Sequence, residues 1–348
     1  DRDAVAVWNE MIGAGPVGAN ISVTDASTDS HLVVVRDESP VPRSSGNLYE
    51  PTDKQTSVFM IGSVAVEVVF VESETLRPDG TTISKLSENW TADEISKVKA
   101  EVVSALDWWT VAARAPKAPD ELSGEDPLPR PPAHLTWQVT YHTPLEGTTA
   151  QRNRVKVNRE PSSLGTTDAE LSWMGDIANN FGYAGTSVNT KLRTWAHQAR
   201  QPSATSPGAD WGFVLFVVDT SNNSNGKNGR FNDGKIAAAA LNGPWAVVTY
   251  DAGDLGVNNL EVIIAKMVGH LFGAGDEANC HSTPGEEEYY GYLRVAHENC
   301  AYGFSPLPSL MLDGSDMIEA YKEHRLSLSA RGQIGWLDRD ENGVYDVI

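Results

Sequence analysis

The stretch AKMVGHLFGAGDE (265–277) places ionisable side chains at the spacing of a metal-binding helix. His270 can ligate Zn²⁺ through a ring nitrogen, and Asp276 can do so through its carboxylate after a turn. Ligands four residues apart lie on one face of a helix, so a second histidine would belong at position 266. That position holds Lys266, and the next one, where a carboxylate would act as general base, holds Met267.

In the pattern H-E-x-x-H-x-x-G-x-x-D, two imidazoles and a carboxylate hold Zn²⁺ while the glutamate takes a proton from the metal-bound water. The glycine lets the chain turn, and Gly273 retains it. A lysine must lose its proton to bind a metal, and a methionine cannot transfer a proton. Loss of a general base alone costs ~10²–10⁴-fold in rate. We therefore predict a dismantled zinc site, in which the Lys266 ammonium reaches toward Asp276 in place of a metal ion.

A rebuilt metal site is the alternative, because three further histidines follow this pattern. One of His281, His297 and His324 could join His270 and Asp276 as a ligand. The metal-bound water would still lack a base. The G-x-S-x-G pattern of a serine nucleophile does not occur in the sequence, so hydrolysis by that route has no motif behind it.

Residues 57–346 resemble a metzincin-type zinc metallopeptidase, of the secreted bacterial kind in which aspartate is the third ligand (snapalysin-like). The matching stretches are MIGSVAVEVVFVES (60–73), Trp211–Asp219, GPWAVVTYD (243–251), GHLFGAGDE (269–277) and RGQIGWLDRDENG (331–343). The resemblance implies a turn containing a methionine beneath the metal, and Met311 in Ser309–Met311 is the matching candidate. It also implies a zincin-like fold, but Lys266 and Met267 depart from the family pattern at the first ligand and the base.

A second acidic group lies in the stretch DRDENGVYD (338–346). Oxygen ligands at alternate positions followed by a glycine are the arrangement with which a loop encloses Ca²⁺. The predicted ligands are the side chains of Asp338, Asp340, Asn342 and Asp346 and the backbone carbonyl of Val344. The alternative is an Asn-Gly turn whose acidic residues only interact with solvent.

The two cysteines, Cys280 and Cys300, flank the segment that follows the zinc-site pattern. Such a pair predicts one disulfide and an oxidising compartment, and two separate buried thiols are the alternative. The chain starts at Asp1 rather than at methionine, as a processed export product would. We therefore expect a secreted protein, extracellular or on the cell surface. N-x-S/T sequons, which do not by themselves establish glycosylation, occur at Asn20, Asn89 and Asn222.

The net charge and the hydropathy of the chain argue against nucleic acid as a binding partner and against a membrane-spanning helix. The formal net charge of −20 and the isoelectric point near 4.7 argue against nucleic acid, which requires a basic surface. The longest apolar run, Val64–Val71 around Glu67, is much shorter than a membrane-spanning helix. We therefore expect no transmembrane segment.

The hydrophobic pattern predicts the elements that would position these residues. Long β-branched runs predict buried strands, and apolar residues at helical spacing predict helices that pack on them. A capping box, Thr91 with Glu94, predicts where the first helix begins. The predicted strands are Ser57–Glu72, Leu135–Tyr141, Trp211–Asp219, Lys235–Ala240 and Trp245–Tyr250, of which the last two resemble edge strands. The other predicted helices are Asp168–Phe181, Ser187–Arg200 and Asn258–Phe272, and the proline-rich residues 115–133 are predicted to form a loop.

Residues 1–56 form a predicted N-terminal arm, separate from a main domain at 57–348. Two short strand candidates, Asn20–Thr24 and Leu32–Val35, lie in this arm. The G-x-G-x-x-G match at 13–18 is followed by a strand-like pattern rather than a helix, so we interpret it as a loop. Short strands that cannot bury themselves pair with an exposed sheet edge, either of the same chain or of another copy.

Together these features predict an α/β protein with a metzincin-like domain, a mixed twisted sheet and a helix of the active-site type. The predicted function is that of a catalytically inactive metallopeptidase-like extracellular protein with a structural, assembly or binding role. We expect Ca²⁺ as a cofactor, no Zn²⁺, and self-association through the N-terminal arm. The alternative function is an active or weakly active secreted zinc metalloendopeptidase with a rebuilt metal site.

Overall fold

The computed structural model describes residues 32–36, 55–73, 89–114, 131, 133–159, 161, 168–204, 206–220, 229–231, 233–277, 289–296 and 309–348. The strand candidate Asn20–Thr24, both cysteines, His281 and His297 lie outside these residues.

A mixed sheet forms the centre of the described structure. Its strands are β1 (Leu32–Arg36), β2 (Ser63–Ser73), β3 (Thr136–His142), β4 (Lys156–Val157), β5 (Trp211–Val218), β6 (Ala237–Leu241) and β7 (Trp245–Thr249). The strand order is β1-β6-β7-β5-β2-β3, with β4 paired to the end of β2. Strands β3, β2, β5 and β7 run parallel, β6 is antiparallel to β7, and β1 is parallel to β6. A separate small hairpin consists of β8 (Tyr289–Tyr290) and β9 (Val295–Ala296).

Helices alternate with these strands, as the α/β prediction requires. They are α1 (Ala92–Arg114), α2 (Thr149–Asn153), α3 (Asp168–Asn180), α4 (Val188–Ala199), α5 (Leu260–Leu271), α6 (Gly314–Lys322) and α7 (Leu328–Gln333). The predicted capping box is confirmed, because the Thr91 amide donates to Glu94 Oε2 (2.7 Å) and the Glu94 amide donates to Thr91 Oγ1 (3.2 Å).

Two cores form on opposite faces of the sheet. Along β5, Phe213 and Leu215 join the core under α1 and α5, while the alternating Val214 and Phe216 join the core under α3 and α4. Both faces are therefore covered by helices, and this is why the central strands read as continuous apolar runs rather than as alternating ones. The mixed α/β class is confirmed.

Two sequence predictions about strands are wrong. The strand that was predicted to begin at Ser57 begins at Ser63, because Met60 is bent away and its amide donates to Ile334 O (2.8 Å) instead of to a neighbouring strand. The prediction that β6 and β7 are edge strands is also wrong, because β7 lies between β5 and β6, and β1 covers β6. The strand predicted at Leu32–Val35 is confirmed as β1, and it pairs with the sheet of its own chain.

Candidate functional site

The helix α5 ends in a turn that backbone hydrogen bonds define. Gly273 has φ +93°, a conformation that favours glycine. Its amide donates to His270 O (2.9 Å), and the Ala274 amide donates to Gly269 O (3.0 Å), which is the Schellman arrangement of a helix end. The chain thereby folds back past the end of α5, and Asp276 follows two residues later.

Lys266 is completely buried on α5 and points its ammonium group at three acceptors. Nζ lies 2.6 Å from Asp313 Oδ1, 2.9 Å from Leu312 O and 3.2 Å from Asp276 Oδ1. The side chain of Lys266 is 0% exposed, while those of Asp276 and Asp313 are 26% and 29% exposed. The predicted contact between Lys266 and Asp276 is confirmed. The contact with the Asp313 carboxylate was not predicted.

Asp313 is the functional residue that the sequence reasoning missed. It is the N-cap of α6, but in the described structure its side chain makes no capping hydrogen bond and is turned toward Lys266 instead. Burial by itself lowers the pKa of Lys266, but the attraction of Asp276 and Asp313 and their hydrogen bonds outweigh it and raise the pKa. Lys266 is therefore an ammonium ion paired with two carboxylates.

His270, one helical turn after Lys266, is buried and neutral. Its Nδ1 is 2.8 Å from Ala274 O, and because a carbonyl only accepts, Nδ1 carries the proton. Burial first and the charge of Lys266 second lower the pKa of His270 to about 4, against the opposing effects of Asp276 and of the hydrogen bond to Ala274. Nε2 keeps its lone pair and has no hydrogen-bond partner among the described residues.

The residues at this centre do not fit Zn²⁺. His270 Nε2 and the Asp276 carboxylate are suitable donors, but the ammonium of Lys266 is bonded to that carboxylate and to Asp313. A dication would have to displace this positive charge or strip its proton. Met267 is 0% exposed within the apolar core and can transfer no proton. The arrangement provides a fixed internal cation rather than a metal-bound nucleophile.

Met311, the candidate for the methionine turn, packs directly against α5 beside Gly269. A Cβ atom added to Gly269 would approach Met311 Sδ to 2.8 Å and Trp109 Cζ2 to 3.1 Å, so a larger residue would require these side chains to move. Met311 is completely buried, and its carbonyl accepts from the Glu277 amide (2.9 Å). The Ser309–Met311 turn is thus tied to the segment that carries Asp276.

His324, a possible third ligand in a rebuilt site, makes other contacts. Its ring stacks on Trp108 with centroids 5.8 Å apart and an interplanar angle of 10°. It lines a cavity of about 480 Å³ between α1, α5 and α6. The other two possible ligands, His281 and His297, lie outside the described residues, as do Asn20 and Asn222, whereas Asn89 is exposed.

A pair of glutamates joins α1 to the first turn of α5. Glu261 interacts with Glu101, Glu261 Oε2 is buried without a hydrogen-bond partner among the described residues, and Lys97 Nζ lies 2.8 Å from Glu101 Oε1. Burial and then the interaction with Glu101 raise the pKa of Glu261 to about 7. Protonation of Glu261 would remove the repulsion between the two carboxylates, so we expect the packing of these helices to depend on pH.

The predicted calcium loop brings three of its carboxylates together. Oxygens of Asp338, Asp340 and Asp346 lie within 4.8 Å of one another. The chain turns at Gly343, where φ is +82°, and Arg339 Nε donates to Asp346 Oδ2. The remaining predicted ligands belong to the same turn, in which the Val344 amide donates to Asn342 Oδ1 (2.8 Å).

Comparison with known proteins provides no relative. No family model, curated protein or solved structure matches this chain. None of the described helices is both long enough and apolar enough to cross a membrane. The predicted disulfide between Cys280 and Cys300 lies outside the described residues.

Proposed function

We propose that this chain is a catalytically inactive, metzincin-like protein with a structural, assembly or binding role outside the cell. The observation that carries the proposal is the buried Lys266 ammonium, held between Asp276 and Asp313 at the place of the first zinc ligand. An internal cation at that place satisfies the carboxylates that a metal would otherwise neutralise.

The proposed loss of activity follows from two independent chemical changes. Zinc binding requires deprotonated ligands, and the pKa of Lys266 is raised rather than lowered. Proton transfer requires a titratable group beside the metal, and Met267 has none. Restoring only one of the two positions would leave the other defect in place.

The metzincin-like part of the proposal is supported by the surroundings of this centre. The helix α5 ends at a glycine turn, Asp276 follows it, and Met311 packs against the helix at Gly269. An inactive descendant of a metallopeptidase is expected to keep this helix, turn and methionine while the residues at positions 266 and 267 change.

We further propose that one Ca²⁺ is held by Asp338, Asp340, Asn342 and Asp346 with the carbonyl of Val344. The support is the convergence of three carboxylates within 4.8 Å. Extracellular calcium modules bind with Kd values of ~10⁻⁴–10⁻³ M, which suits a short loop of this kind. Ca²⁺ would compete with Arg339 for Asp346.

Metal analysis combined with a protease assay tests the proposal. We expect the purified chain to contain far less than stoichiometric zinc and to leave casein uncut, with or without added Zn²⁺. The variant K266H/M267E restores both altered positions and is expected to gain chelator-sensitive zinc, whereas K266H alone tests the ligand without the base. Stoichiometric zinc in the unsubstituted chain, together with casein cleavage that a chelator stops, would overturn the proposal in favour of an active metalloendopeptidase.

A further inference from the structure

The edge of the sheet at β6 is closed by a strand from the far N-terminal part of the chain. Residues Leu32–Arg36 pair in parallel with Ala237–Leu241, residue for residue. Within the described residues β1 pairs with β6 alone, so releasing it breaks a single row of backbone hydrogen bonds. Without β1, the short alanine-rich strand β6 would present unpaired amides and carbonyls, and such an edge is a template for another strand.

The connection that follows β1 is much longer than the distance it covers. Arg36 is aligned with Leu241, and the next described part of the chain begins at Gln55, with Thr56 and Ser57 against Gly243. The described residues on either side of 37–54, Arg36 and Gln55, are therefore within roughly 15 Å of each other. A segment of this length reaches roughly 60 Å when it is fully extended. The surplus length is enough to reach the sheet of a neighbouring molecule.

We propose that β1 of one copy pairs with β6 of a second copy, in the parallel register that the single chain shows. This inference rests on the proposed assembly role and names the partner as another copy of this chain. Every contact of the exchanged strand has an equivalent in the single chain, so exchange needs no new recognition surface. Donor strand and acceptor edge are different surfaces, so exchange either closes reciprocally between two copies or continues head to tail from copy to copy.

Pairing within one chain competes with this exchange. Covalent connection to the same chain gives β1 an effective concentration on the order of 1 mM for its own β6 edge. Exchange between copies therefore increases with protein concentration and dominates where copies are crowded together. This dependence on concentration distinguishes exchange from a fixed intramolecular strand.

Engineered cysteines test the pairing directly, because Val34 is aligned with Ala239. Full-length V34C and A239C, each carrying one added cysteine, are mixed at total concentrations from about 1 µM to about 1 mM, a range that spans the expected crossover. They are then oxidised. We expect a disulfide-linked heterodimer whose yield rises with concentration, with the 34–239 link identified by mass spectrometry. The mixture of V34C with A237C is the matched control, because its cysteines are offset by two residues and too far apart for a disulfide. The unsubstituted chain reports any background from Cys280 and Cys300.

The double variant V34C/A239C gives the complementary result. We expect a cross-linked monomer at low concentration and linked dimers or longer ladders of linked copies at high concentration. A cross-linked monomer at every concentration, with no heterodimer from the mixture, overturns the inference and leaves the zinc and casein results unaffected. Absence of any 34–239 link would refute the β1–β6 pairing itself, and the exchange with it.

Discussion

Replacement of Lys266 by methionine removes the ammonium group while keeping an unbranched side chain of similar length in the core. The carboxylates of Asp276 and Asp313 then face each other, and Leu312 O loses its donor. We expect K266M to be substantially less stable than the unsubstituted chain, because two negative charges remain near one another without the cation that they share.

The structure sets the size of this loss. Removing one partner of a buried ion pair costs about 3–5 kcal/mol. Asp276 and Asp313 keep 26% and 29% of their side-chain surface exposed, so water compensates part of the lost attraction and the lower end applies, about 3 kcal/mol. With an unfolding entropy of about 2.1 cal/mol/K per residue, this lowers the Tm of a 348-residue chain by about 4 °C.

Urea unfolding and thermal melting at pH 7 measure the effect. The pKa of Lys266 is raised by folding, so its contribution is complete below the unfolded value of about 10.4 and is lost only as pH rises through the higher folded value. Neutral pH therefore reports the full contribution. The variant K266M/D276N/D313N is the matched control, and it should recover most of the lost stability because no unpaired charge remains.

Two results would refute this reasoning. If K266M unfolds within about 0.5 kcal/mol of the unsubstituted chain, the range of an ordinary surface substitution, the ammonium does not hold the centre together. If K266M/D276N/D313N is no more stable than K266M, the loss arises from packing rather than from the two carboxylates.

The remaining predictions concern other sites. Excess chelator should lower the Tm of the unsubstituted chain, whereas D340A should melt at the same temperature with and without it; an unchanged Tm in the unsubstituted chain would refute the calcium site. The pKa of Glu261 is raised to about 7 in the folded chain, so its stabilising contribution is complete below the unfolded value of about 4.3 and is lost as pH rises through 7. The E261Q variant should remove this pH dependence, as measured by the free energy of unfolding in urea at pH 5 and pH 8. If this free energy changes by the same amount between the two pH values in both proteins, Glu261 is not the group responsible. Alkylation and mass spectrometry without reductant should find Cys280 and Cys300 linked, with a contribution of ~3 kcal/mol to stability, and two alkylated thiols would contradict the link.

Local patterns in the sequence predicted most of the described elements. The capping box at Thr91 fixed the start of α1, and the apolar runs located β5 and β7, because these signals depend on neighbouring residues alone. The order of strands does not follow from such signals. Trp245–Thr249 resembles an edge strand when it is read by itself, but it is interior because β5 and β6 arrive from other parts of the chain.

The candidate site was predictable to a similar extent. The spacing of Lys266, His270 and Asp276 on and after one helix predicted that the lysine would reach the aspartate, since helix geometry fixes that relation. Asp313 was missed because it is 47 residues from Lys266 in the sequence and resembles an ordinary N-cap. Only the tertiary structure shows that its carboxylate is used elsewhere.

Because of the turn after α5, the shape of this centre does not depend on a supply of zinc. Hydrogen bonds from Gly273 to His270 and from Ala274 to Gly269 set the path of the chain to Asp276, and they involve backbone atoms alone. The Lys266 ammonium can then serve as the counter-ion of the Asp276 carboxylate. Because the lysine is part of the polypeptide, every molecule carries one such cation. If the proposal is correct, the protein folds equally well whether or not zinc is present.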